Sequence, residues 1–210
     1  FDGQNWVGID PSDNNMAAGP NHVIQMINAT SSSFLKIWDK TGAVVQNAIL
    51  LSAITGLPGS GDPVVIYDQI ADRWILTEFG PGSCCSQLII AVSATSNPTG
   101  SYNVYQYTDN SFFPDYPKFS VWHNAYYAYT NDFNTAGTAF LGASVYAFDR
   151  AAMIAGAATA TMVRFRQTGN AFGSMGTVCL EGTVPSSPKG LFIFPVVASN
   201  VGKVGRGAGG

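Results

Sequence analysis

Apolar and polar residues alternate with a two-residue period through most of the chain, which predicts short strands rather than helices. His22 to Asn28 (HVIQMIN) and Ser33 to Asp39 (SFLKIWD) read as two strands. Lys40-Thr41-Gly42 reads as a hairpin turn, and Ala43 to Gln46 as a third strand. Val64 to Tyr67 and Arg73 to Phe79 form the next pair, followed by Gln87 to Ser93 (QLIIAVS) and Tyr102 to Tyr107 (YNVYQY). The same plan returns as Lys118 to Trp122, Ala125 to Asn131, Ser144 to Asp149 and Thr161 to Phe165. Arg150 to Ala158 (RAAMIAGAA) has the composition of one short helical turn.

The plan repeats in detail. GDPVVIYDQIADRWILTEF, residues 61–79, reappears in altered form as PDYPKFSVWHNAYYAYTNDF, residues 114–133. Asp62 falls on Asp115, Trp74 on Tyr127 and Thr77 on Thr130, a constant displacement of 53 residues. Short strands repeating at roughly 40–50 residues are the mark of a β-propeller blade. The expected fold is therefore all-β and β-propeller-like, with four-stranded antiparallel blades in a single domain. Residues 1–20 read as an N-terminal loop, and 21–60, 61–110 and 114–168 as blade-like repeats. Residues 169–200 read as a partial blade containing LFIFPVVA at Leu191 to Ala198, and 201–210 as a tail. Three blades and part of a fourth fall short of a ring. The expectation is an incomplete propeller, one closed by an N-terminal strand, or one completed by oligomerisation.

Composition narrows the function. Charged residues make up only 11% of 210 positions, and the net charge is −3 with no basic block, which disfavours a nucleic-acid partner. No apolar run is long enough for a membrane-spanning helix. No signal peptide is visible, and the chain opens at Phe1 in what reads as mid-domain sequence, in keeping with a processed secreted protein. Of the three cysteines, Cys179 is placed to bridge to Cys84 or Cys85 and leave an odd thiol; all three reduced and buried is the equal alternative. Asn28-Ala29-Thr30 matches the glycosylation acceptor pattern.

A GxxxxGK[ST] phosphate-binding loop and a GxSxG nucleophile elbow are absent from the sequence, and two histidines, His22 and His123, are too few for a His-rich metal site. The run around Asp10 and Asp13 offers oxygen ligands suited to calcium, but it lacks the ordered loop of a calcium motif and reads better as an Asx-rich turn. Asp68 to Asp72 reads as a surface turn in which Arg73 pairs with a carboxylate.

The phrases GDPVVIYDQIADRWILTEF, IAVSATSNPTGSY, FPDYPKFSVWHNAYYAYTNDF and VYAFDRAAMIAG resemble a group of secreted bacterial propeller-type proteins, over residues 10–166. A weaker likeness runs to propeller glycosidases of the arabinanase and sialidase kind. The resemblance implies an extracellular propeller. In the glycosidases an Asp opens the innermost strand of successive blades, and Asp62 and Asp115 stand at that place. Two carboxylates across a funnel are what glycoside hydrolysis requires, one as general acid and one as nucleophile or base. Asp68, Glu78 and Asp132 are further candidate acids. Glu78, Tyr116, Trp122 and Tyr127 are the candidate substrate-binding residues, the aromatic rings by stacking on a sugar. The expectation is a secreted carbohydrate-active protein, a glycoside hydrolase or alternatively a non-catalytic carbohydrate-binding or adhesion module.

Overall fold

The computed structural model describes residues 2–81 and 87–168. Cys84, Cys85, Cys179, the strand read at 191–198 and the tail lie outside the described residues. The chain divides into two compact units, Phe1–Asn110 with Ile154–Gly156, and Ser111–Met153 with Ala157–Gly210. The described residues form three antiparallel four-stranded sheets and two short helices.

Sheet 1 is a meander of β1 (Asn15–Ala18), β2 (His22–Ala29), β3 (Ser32–Asp39) and β4 (Val44–Leu50). The segment expected to be a loop thus supplies its first strand. NMAA carries no strand periodicity of its own; it is ordered by the ladder to β2, in which Asn15 faces Met26 and Ala18 faces Val23. The β3–β4 turn follows its local chemistry. Asp39 Oδ1 accepts the N–H groups of Thr41 at 2.8 Å and Ala43 at 3.0 Å, and Gly42 takes φ +91°. β4 continues four residues beyond the expected end and is an exposed edge.

Sheet 2, in the same unit, is β5 (Val64–Asp68), β6 (Arg73–Gly80), β7 (Gln87–Ser93) and β8 (Tyr102–Thr108). Its two central strands are buried along nearly their whole length, as strands covered on both faces must be. Ile24, Met26, Leu35, Ile37 and Leu51 of the first repeat pack with Val65, Trp74, Leu76 and Ala91 of the second in one apolar core. Asn15 Oδ1 also accepts the Val65 N–H at 2.8 Å, so the two sheets are joined by a side-chain-to-backbone hydrogen bond as well as by burial. Between them, α1 (Ser52–Thr55) ends on Gly56 in the left-handed conformation.

Sheet 3, in the second unit, is β9 (Phe113–Val121), β10 (Tyr126–Phe133), β11 (Phe140–Phe148) and β12 (Met162–Thr168), with α2 (Arg150–Ala155) between the last two. β9 begins five residues earlier than its pattern suggests and carries Pro114 and Pro117. It is tolerated because β9 is an edge strand. The register preserves the repeat: Tyr67 faces Trp74 in sheet 2, and Ser120 faces Tyr127 in sheet 3, each member 53 residues on.

One turn departs from expectation. Asp68 is fully buried, and its Oδ1 accepts the N–H groups of Ile70 at 2.9 Å and Ala71 at 3.0 Å. Arg73 donates to the carbonyls of Ala71 and Asp72 rather than to a carboxylate. An Asx turn satisfied by backbone donors outcompetes an exposed ion pair, which contributes only about 0–1 kcal/mol.

Candidate functional site

The residues singled out from the sequence gather mainly where the first strand of each sheet begins. A first strand runs antiparallel to the second, so its entry lies beside the second strand's exit. Each of the three entries carries one non-glycine residue with positive φ: Asp13 at +41°, Asp62 at +51° and Tyr116 at +53°. The left-handed backbone that Asp62 adopts therefore falls on Tyr116, one place after Asp115. Asp115 itself lies within β9 opposite Asn131, where the ladder slips by one residue. The two acids are aligned in sequence but do not share a backbone conformation.

In the first unit, Asn28 organises the entry. Its Nδ2 donates to the Pro11 carbonyl at 3.0 Å and to Asp13 Oδ2 at 2.7 Å, and its Oδ1 accepts the Asp62 N–H at 2.8 Å. Gly61, at φ +93°, lies so close that a Cβ there would stand 2.7 Å from Asn28 Oδ1. With its amide committed in this way and only 8% exposed, Asn28 is shielded from the glycosylation that its sequence pattern suggests. Asp13 is half-buried and bonded to Asn28, whereas Asp10 is exposed. Among the described residues no group of three or more His, Cys, Asp or Glu converges.

Glu78, near the end of β6, is 1% exposed. Its carboxyl accepts the hydroxyls of Ser32 at 2.8 Å and Ser33 at 3.0 Å from β3 of the neighbouring sheet. Burial pushes its pKa up from near 4.5 to about 7, against the opposing effect of those two hydroxyls and of the Gly61 and Ser33 backbone. Sequence pattern alone did not reveal that this acid lies under the sheet 1–sheet 2 junction. The adjacent pair Ser32-Ser33 in an otherwise apolar strand was the available signal.

In the second unit, Asp115 is half-buried and its Oδ1 accepts the Tyr116 N–H at 2.9 Å. The Tyr116 ring is 56% exposed, with the Lys118 ammonium 3.5 Å from its centroid. Trp122 and Tyr127 occupy the other end of β9–β10. Trp122 begins the connection, its ring 5.8 Å from that of His123, and the Tyr127 hydroxyl donates to Asn124 Oδ1 at 3.3 Å. Seven residues of extended strand, about 23 Å, separate Trp122 from Asp115, so these aromatics do not share an end with the acid.

Asp132, fully buried on β10, accepts the Thr130 hydroxyl at 2.8 Å and the Ser144 hydroxyl at 2.6 Å. Arg166 Nε approaches it at 3.2 Å, an ion pair whose angle does not make a hydrogen bond. Burial raises the Asp132 pKa, and the hydroxyls and arginines oppose that rise. The arrangement is an internal polar network of the sheet, saturated by its own neighbours. No protein-family model matches this chain, and no curated protein does.

Proposed function

We propose that the protein is an extracellular, propeller-type carbohydrate-active module that holds an oligo- or polysaccharide against Tyr116. The three four-stranded meanders and the preserved register between the second and third support the blade reading. The observation that carries the functional reading is Tyr116 itself. A bulky aromatic at φ +53° costs on the order of 1–3 kcal/mol, and such strain persists where the surroundings enforce it, commonly at binding sites. Here the bulge turns the ring outward, where it is 56% exposed while a cation steadies it. An exposed ring held in one orientation suits stacking on the apolar face of a sugar. Calorimetric titration of the full chain with a panel of soluble polysaccharides tests this. Binding that weakens about tenfold or more in Tyr116→Ala supports it. Absence of binding across the panel, or binding indifferent to that substitution, removes it.

A second reading is glycoside hydrolysis using Asp62 and Asp115. It is favoured by each acid, within its own unit, being half-buried rather than sealed in the interior. Release of reducing ends from the bound polysaccharide is the assay. Turnover that survives both Asp62→Asn and Asp115→Asn would end the hydrolase reading and leave the binding one intact.

A further inference from the structure

Glu78 sits where two sheets meet, and the chemistry around it is one-sided. Its bonded partners are the hydroxyls of Ser32 and Ser33 on β3 and the backbone of Ser33 and Gly61. None of these carries a charge. The ionisable residue on the adjoining connection is Asp62, which has the same sign as the carboxylate. Gly59 packs against the carboxyl so tightly that a Cβ there would stand 2.2 Å from Oε1.

Burial favours the neutral acid over the opposing pull of the donors that hold it in place. Ser32 Oγ accepts the Ser52 N–H at 3.2 Å, which directs its own proton to Glu78 Oε1. Ser33 likewise donates its hydroxyl to Oε2 at 3.0 Å, so both carboxyl oxygens are held from β3. Once the acid ionises, a negative charge remains in a buried junction whose donors among the described residues are neutral.

We propose that Glu78 is a proton-operated latch between sheet 1 and sheet 2, closed when the carboxyl is neutral and loosened when it ionises. The direction follows from linkage. The folded-state value of about 7 lies above the ordinary value near 4.5, so the folded state holds the proton more tightly than the unfolded chain. The stabilisation is complete below about pH 4.5 and is lost as pH rises through about 7. The junction tightens in acidic surroundings and relaxes in neutral ones.

The test is an NMR pH titration of the full chain that follows the amide signals of Ser32 and Ser33, with thermal unfolding measured over the same range. In the parent these amides titrate with a midpoint near 7 and the melting temperature falls between pH 5 and 7. In Glu78→Gln both responses disappear. Ser33→Ala, a milder change that removes one hydroxyl donor to the charged form, moves the midpoint upward. Amides that stay still between pH 5 and 8, that titrate unchanged in Glu78→Gln, or that keep their midpoint in Ser33→Ala would overturn the latch.

Discussion

The side-chain oxygen of Asn28 accepts the backbone N–H of Asp62 at 2.8 Å, a bond between the second strand of one sheet and the entry of the next. The same amide holds Pro11 and Asp13 through its nitrogen. One residue thus ties together three chain segments that the sequence separates by up to 51 residues. Asn28→Ala removes all three bonds, the one from the Asp62 N–H included. The expected loss is about 2–3 kcal/mol, since losing its partner costs a buried polar group about 1–3 kcal/mol. Urea denaturation measures it. A change below about 0.5 kcal/mol, the range of ordinary surface substitutions, would show that the bridge contributes nothing.

Tyr116 offers a way to separate folding from binding. Glycine adopts φ +53° without strain, so Tyr116→Gly should unfold at the same temperature as the parent or a few degrees above it. The same substitution should abolish saccharide binding. Tyr116→Ala keeps the strain and loses the ring, so it should be no more stable than the glycine variant. Calorimetry and thermal unfolding on the three proteins decide it. A glycine variant clearly less stable than the alanine one would mean that the bulge is not a strained position.

Gly59 is a position where the backbone leaves no room for a side chain. A methyl group there would meet the Glu78 carboxyl at 2.2–2.4 Å. Gly59→Ala must therefore displace Glu78 or the loop, with an expected cost of about 1–3 kcal/mol. Because the displacement would part Glu78 from Ser32 and Ser33, the double variant Gly59→Ala with Glu78→Ala should recover part of the loss. Equal stability of Gly59→Ala and the parent would be incompatible with this packing.

Asp132 makes a pH prediction of its own. Burial raises its pKa above the ordinary aspartate value, so its contribution is full at low pH and is lost as pH rises through the raised value. Asp132→Asn should flatten that part of the stability profile. Asp132→Ala should cost about 2–3 kcal/mol, because Thr130 and Ser144 lose their buried acceptor and Arg166 its counter-charge. Guanidinium unfolding at two pH values separates the effects.

Two-residue periodicity, the 53-residue displacement and the turn chemistry at Asp39 are local properties, and each was legible in the sequence. A strand's face and a turn's dihedral preferences belong to the residues themselves. The same logic singled out Asp62 and Asp115 at strand entries and Tyr116 as a ring to stack on a sugar. It could not reveal that NMAA is a strand, because four such residues become one only when β2 supplies the ladder. It also could not show that Val163 and Phe165 on β12 point outward, 70% and 62% exposed, while Arg164 and Arg166 of the same strand turn inward. Arg164 stacks 4.4 Å over Phe112, and Arg166 reaches Asp132. That inversion depends on partners 34 or more residues away.

The division has one physical cause. Turn preferences and hydrophobic alternation are decided within a few bonds, so the chain alone determined an all-β architecture built from repeats. Ionisation and hydrogen-bond satisfaction depend on what is buried beside a group. Only the tertiary structure could place Glu78 beneath two serines of another sheet, shift the left-handed backbone from Asp115 to Tyr116, and carry Trp122 and Tyr127 to the far end of their strands.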